Sequence, residues 1–120
     1  MQKPYVEHLN VVKQILRYVA RTKDLALKYS KLSSFFLLGF SYSNYGGDRD
    51  EKKSTSTHVL GIGLGAISWS SKKQPTISLS TIEVEYHAIS VATHEAIWLR
   101  HILKEIGYEP AGSSLISSDN

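Results

Sequence analysis

The 120-residue chain has the length and composition of one small globular domain, with 42% hydrophobic and 21% charged residues. It contains no cysteine, which excludes a disulfide framework, a thiol nucleophile and cysteine zinc sites. Its formal net charge of +3 permits contact with nucleic acid without requiring it.

Targeting signals are not visible in the sequence. No apolar run approaches the roughly 18 residues that span a bilayer, so no membrane association is expected. The polar segment 1–12 lacks the apolar core of a signal peptide. A cytoplasmic or nuclear location is therefore expected, and secretion is not indicated.

The first half of the chain is predicted to form one helix and two strands. Apolar residues recur at helical spacing between Leu9 and Val19, which predicts a helix over about residues 5–21. Leu25 to Tyr29 resembles a strand. Phe35 to Tyr42 is nearly continuous in apolar residues, which indicates a strand covered on both faces of an α/β sheet. The polar stretch 48–57 is predicted to be an exposed loop.

The second half begins with a predicted hairpin from His58 to Ser70, whose second arm is continued by residues 76–79. The capping-box pattern from Ser80 to Glu83 starts a long helix that ends near Gly107. A short strand begins at Leu115-Ile116. The apolar stripe predicted for the long helix comprises Ile82, Tyr86, Ile89, Ala92, Ala96, Leu99, Leu103 and Ile106. This order predicts a mixed α/β fold with a partly antiparallel sheet.

Two carboxylates stand out as candidate functional groups. Glu85 falls on the flank of the stripe of the long helix, where it either reaches solvent or serves as a metal ligand or general base. Asp119 follows an apolar pair at the end of a predicted strand. It is either a turn residue or part of a site, since ligands bind at strand ends in α/β sheets.

Basic and imidazole side chains give two weaker signals. Lys72 and Lys73 follow the hairpin, where they form either a solvated strand end or a contact to phosphates. His87, His94 and His101 recur every seven residues, about 10.5 Å along a helix. That spacing is too long for two of them to share one zinc ion, so a solvated helix face is expected.

Several motifs together point to one family. The most specific are Trp69-Ser70-Ser71-Lys72-Lys73-Gln74-Pro75, Leu79-Ser80-Thr81 and Glu85-Tyr86. The further similar segments are Ile15 to Val19, Thr22 to Leu25, Gly47 to Asp50, Lys53 to Ser56, Glu95 to Arg100 and Ser118 to Asn120. With these motifs the chain resembles the ribonuclease H domain of copia-type LTR retrotransposon Pol polyproteins, preceded by the end of the connection segment.

The resemblance implies a ribonuclease H-like mixed sheet with a long packing helix, C-terminally incomplete and preceded by an N-terminal helix. It implies that residues 1–24 end the reverse-transcriptase connection segment and that residues 25–120 form a partial ribonuclease H-like domain. Carboxylates of this family hold two Mg²⁺ ions that cleave the RNA strand of an RNA–DNA hybrid. Glu85 matches the helix Glu of that set and Asp119 matches the Asp of the next strand, as catalytic residues and metal ligands.

The sequence departs from the family pattern at the first catalytic Asp, where it has Tyr42. Asn44 replaces a second Asp, and Asp48 is too far along the chain to substitute. A neutral phenol is a poor ligand for Mg²⁺, which prefers hard, usually anionic oxygens. The fourth family carboxylate is also expected to be missing, because the sequence stops at Asn120.

Three hypotheses for function follow from this comparison. The first is a degenerate ribonuclease H-like fragment without nuclease activity, which retains contact with an RNA–DNA hybrid or a single strand through Lys72 and Lys73. The second is a co-opted interaction or secreted effector protein that uses the remnant fold on a host protein. The third is an active Mg²⁺-dependent endonuclease. An exposed sheet edge is expected to favour self-association.

Overall fold

The computed structural model describes residues 5–31, 35–47 and 52–118, and within them the chain forms a mixed α/β structure. The elements follow the order α1 (Val6–Thr22), β1 (Leu37–Asn44), β2 (Thr55–Ile62), β3 (Gly65–Lys73), α2 (Thr81–Glu105) and β4 (Leu115–Ser118). The predicted fold class is confirmed. Neither helix, over the residues described, is long and apolar enough to cross a membrane.

The strands form one sheet in the order β3-β2-β1-β4. β2 pairs antiparallel with both β1 and β3, whereas β4 runs parallel to β1. A parallel return needs a long crossover, and α2 provides it by packing on β1, β2 and β4. We call the face of the sheet that α2 covers the inner face and the opposite one the outer face. This arrangement is consistent with a ribonuclease H-like fold.

The apolar core lies between the inner face and the C-terminal half of α2. Leu37 of β1 and Leu60 of β2 are fully buried against Ala96 and Leu99 of the helix. Gly39 makes this packing possible, because a Cβ at that position would lie 2.6 Å from the Cδ2 atom of Leu60. The side chain of Leu60 therefore occupies the space that any other residue at position 39 would need.

The ends of α2 agree with the sequence signals. The Ser80 hydroxyl accepts a hydrogen bond of 3.2 Å from the Glu83 amide, and the Glu83 carboxylate accepts one of 2.8 Å from the Leu79 amide. The first bond satisfies an amide of the first helical turn that has no partner within the helix, and the second joins the residue before the N-cap to that turn. Gly107 follows the last turn with a φ of +83°, a conformation that favours glycine.

The buried side of α2 differs from the predicted stripe in its first half. Ile82 and Tyr86 are exposed, as is Ile106 at the other end, so these assignments were wrong. The buried residues are Val84, Ala88, Ala92, Ala96 and Leu99. The reason is that this half of the helix packs against polar groups of the hairpin. Small side chains on the helix allow its backbone to come close to these groups.

The helix α1 forms as predicted, yet it packs against none of the other described elements. Its apolar residues stay exposed, including Leu9 at 53% and Leu16 at 63%. A helix of 17 residues gains most of its stability in proteins from packing of its apolar face. The apolar stripe of α1 therefore has no partner among the residues that the structure describes.

Two predicted strands are wrong. Residues 25–29 form no regular element and pair with no strand of the sheet; Tyr29 contacts the hairpin only through its side chain, whose hydroxyl donates to the Ala66 carbonyl. Residues 76–79 also form no strand, since β3 ends at Lys73 and the chain turns towards α2.

The loop predicted over residues 48–57 is wrong at its end, where Thr55 to Thr57 belong to β2 because they continue the ladder with β1 and β3. Residues 48–51 of that loop lie outside the described residues. The hairpin itself is confirmed and is longer than predicted, and the final strand begins at Leu115 as predicted.

The expectation that β1 is covered on both faces is also wrong for the described chain. Side chains of β1 alternate, with Leu37, Gly39 and Ser41 buried on the inner face. Phe40 and Tyr42 point to the outer face, where their side chains are 64% and 50% exposed. The reason is that none of the described elements packs on that face.

Candidate functional site

Glu85 lies in the second turn of α2, next to the buried Val84, and its side chain is half-buried. This position agrees with the prediction that it flanks the buried stripe. Within the described chain its carboxylate makes no hydrogen bond or ion pair. With respect to the described residues it is an unpaired acidic group at the border of the inner face, and its predicted catalytic role stays a prediction.

Asp119 lies outside the described residues. The strand before it, β4, ends at Ser118, which pairs with Ser41 of β1. The Ser41 hydroxyl oxygen is buried and has no hydrogen-bond partner in the part of the chain that the structure describes. The ends of β1 and β4 are thus adjacent, as expected for neighbouring parallel strands. The catalytic and metal-binding role assigned to Asp119 by the family resemblance remains a prediction.

The two residues that stand where the ribonuclease H resemblance expects carboxylates lie on the outer face. Tyr42 and Asn44 are both exposed there, whereas Glu85 is on the helix that covers the inner face. Over residues 5–31, 35–47 and 52–118 no three His, Asp or Glu side chains are grouped so that they could hold a metal ion. The described residues therefore do not supply the donor set that two Mg²⁺ ions require.

Lys72 and Lys73 form the end of β3 and are both exposed. Their strand partners are Ser56 and Thr55 of β2, which places Lys72 on the inner-face side and Lys73 on the outer-face side. Lys72 borders a cleft of about 460 Å³ between the hairpin and α2, whose other lining residues include His87 and Glu95. Each face of the sheet thus carries a lysine at this end.

A buried polar network beside this cleft was not predicted from the sequence. Gln74 is only 2% exposed. Its amide nitrogen donates to the Ser56 hydroxyl at 2.8 Å and to the Val84 carbonyl at 3.2 Å. Its amide oxygen accepts a hydrogen bond of 3.1 Å from Ser78. The network joins β2, α2 and the segment between β3 and α2, and its sequence signal is a glutamine next to Pro75.

His87 departs from the solvated helix face that the seven-residue spacing predicted. Its side chain is half-buried, and its Nδ1 atom lies 3.5 Å from the Ser56 hydroxyl. Further along the helix, Glu95 accepts a hydrogen bond of 2.7 Å from Ser68 of β3. His94 and His101 are exposed as expected. The prediction was wrong for His87 because this residue lies beside β2 and lines the cleft between the hairpin and α2.

The chain is similar to known proteins of two descriptions. The retrovirus-related Pol polyproteins from transposons RE2 and RE1 of Arabidopsis thaliana are 33% and 34% identical to it over 120 residues. The secreted RxLR effector protein 161 of Plasmopara viticola is 38% identical over 96 residues, which is 80% of this chain and 68% of that protein. The chain belongs to this family of retrotransposon Pol-related proteins.

The extent of the match differs between these members of the family. The chain spans only 8% of either Arabidopsis polyprotein, whereas it spans about two thirds of the Plasmopara protein. The sequence matches no family model. No solved structure matches it either.

Proposed function

We propose that the chain is a ribonuclease H-like module of retrotransposon Pol origin that has no nuclease activity and binds nucleic acid. The proposed absence of activity rests on Tyr42, which occupies the position where the family resemblance requires an aspartate. Two-metal hydrolysis needs anionic oxygens that bridge both ions, and a phenol does not provide them. Glu85 alone then has no partner carboxylate among the described residues.

The binding part of the proposal rests on charge and position. Lys72 and Lys73 lie at one end of the sheet, exposed on its two sides, in a chain of net charge +3. Lysines placed in this way contact phosphates without reading sequence. Binding should therefore weaken with salt, with a slope that falls by about 0.7–0.9 for each phosphate contact removed.

The first experiment is cleavage of a labelled RNA–DNA hybrid with Mg²⁺ and then with Mn²⁺, beside a Glu85→Gln variant. We expect no cleavage from folded protein under either condition. Cleavage that disappears in Glu85→Gln would refute the proposed loss of activity. It would mean that the enzyme hypothesis is correct.

The second experiment measures hybrid binding by fluorescence anisotropy as a function of salt. Lys72→Ala should reduce both affinity and salt slope. Lys104→Ala removes the same charge from an exposed ion pair with Glu109 at the far end of α2 and is expected to have little effect. Equal losses in the two variants would show that net charge, and not this end of the sheet, is responsible.

A second candidate function is that of an interaction protein. It is favoured by the exposed apolar stripe of α1 and by the effector name of the Plasmopara relative. This candidate predicts capture of a defined host protein that Leu16→Ser abolishes and Lys72→Ala leaves intact. Capture that is insensitive to Leu16→Ser would count against it.

A further inference from the structure

The outer face of the sheet carries an exposed aromatic surface. Phe40 and Tyr42 of β1 and Trp69 of β3 are 64%, 50% and 66% exposed. The strand register places Phe40 opposite Val59, and Val59 opposite Trp69. Phe40, Val59 and Trp69 therefore form a row across three strands. Exposed patches of this kind on soluble domains mark contact with a partner or ligand.

A cleft of about 430 Å³ lies on this surface and is lined by both Phe40 and Tyr42. The two residues are separated by one position on the same strand, so their Cα atoms are about 6.6–6.8 Å apart. Stacked bases in DNA are about 3.4 Å apart along one strand. The spacing between the two aromatic residues is therefore about twice the thickness of one planar base, which suits a base held between two rings.

The remaining lining of this cleft combines apolar contact with polar groups. Val59 lies opposite Phe40, and Thr57 lies opposite Tyr42. Ser117 of β4 borders the cleft beside Phe40. The Thr57 hydroxyl donates to Ser71 at 3.1 Å, which leaves its oxygen able to accept a hydrogen bond from a ligand amino group. An aliphatic partner would leave this acceptor unused.

We propose that this cleft holds a nucleobase of a single-stranded nucleic acid between Phe40 and Tyr42. Trp69 lies two strands away, about 9.6 Å across the sheet, and provides a stacking surface for a second base. Lys73 is at the end of β3 beyond Ser71 on the same face, where phosphates of the same strand would pass. Paired bases in a duplex do not expose their faces, so the cleft selects single strands.

This inference rests on the proposed nucleic-acid binding and assigns it a substrate class. It also gives Tyr42 a positive role. Tyr42 stands where the family resemblance expects a metal-binding aspartate, and its ring is one of the two that line the cleft. The test must therefore separate ring stacking from charge and from general nucleic-acid affinity.

The experiment compares binding of a labelled 12-nucleotide RNA strand with binding of an RNA–DNA hybrid of the same length. We expect Phe40→Ala and Tyr42→Ala each to weaken single-strand binding at least fivefold, the low end of the range for loss of one stacked base. Hybrid binding should change less than twofold. Tyr42→Phe should retain binding, and Tyr86→Ala, which removes an exposed tyrosine from α2, should have no effect.

A charge-matched pair sharpens the result. Tyr42→Asp and Asn44→Asp add the same negative charge on the same face of β1, but only the first removes a ring. We expect single-strand binding to fall at least fivefold further in Tyr42→Asp than in Asn44→Asp. Equal effects would overturn the proposal and show that charge alone determines binding.

The other outcomes are equally distinguishable once circular dichroism confirms that each variant is folded. If hybrid binding depends on Lys72 while single-strand binding ignores Phe40 and Tyr42, the cleft proposal fails and the proposed function stands. If neither nucleic acid binds, both fail. If light scattering shows a dimer that Phe40→Ala dissociates and single-strand binding is unchanged, the face belongs to a second copy and the proposal is overturned.

Discussion

Replacing Gln74 with alanine tests whether the buried polar network holds α2 on the hairpin. The side chain makes three hydrogen bonds of 2.8, 3.2 and 3.1 Å, to Ser56, Val84 and Ser78. Each such bond contributes about 0.5–1.5 kcal/mol net, so the variant should lose about 1.5–4.5 kcal/mol of unfolding free energy. A small domain has only about 5–15 kcal/mol in total, so this loss is large.

The assay is urea unfolding followed by circular dichroism, with the slope compared between variants. Gln14→Ala serves as the control, because it makes the same substitution at an exposed position of α1. It should change stability by less than about 0.5 kcal/mol. A loss below about 1 kcal/mol for Gln74→Ala would refute the reasoning, since it would mean that water replaces the amide without cost.

Three further predictions concern the core and the site, and all are measured by the same urea assay. Gly39→Ala should destabilise by about 1–3 kcal/mol, because its Cβ would lie 2.6 Å from Leu60, and an unchanged midpoint would contradict this. Leu60→Ala should lower the free energy of unfolding by about 2–5 kcal/mol, whereas Leu16→Ala in α1 should lower it by less than about 0.5 kcal/mol. Similar losses in the two variants would contradict the exposure of α1. Ser41→Ala should be neutral or stabilising, since the buried hydroxyl has no partner among the described residues, and a loss above about 1 kcal/mol would reveal one.

The sequence carried enough information for the elements with strong local signals. The capping pattern at Ser80 and the glycine at position 107 bracket α2 within two residues of its observed ends. The hairpin was identified because two segments of strand-forming residues are separated by a short turn that contains glycine. These signals are local, so no knowledge of the rest of the fold was needed to interpret them.

The errors share one cause, which is that burial depends on partners distant in sequence. The run from Phe35 to Tyr42 is apolar on both faces, so the sequence could not show that only one face is covered within the described chain. The stripe of α2 was misassigned for a similar reason. Val84 is buried beside Gln74, whose amide donates to the Val84 carbonyl, and this interaction between two segments is not revealed by any periodicity.

Tyr42 shows how the same residue supports two different conclusions. Under the proposed ribonuclease H-like origin it is a loss, because a phenol stands where that proposal expects an anionic metal ligand. Judged by its position, it is an exposed ring one residue beyond Ser41, on the same face as Phe40 and beside a cleft. Alternation along β1 places every second side chain on the outer face, so a change at position 42 that impairs metal binding also alters the aromatic surface. Loss of nuclease activity and gain of single-strand binding would then have a common origin in one substitution.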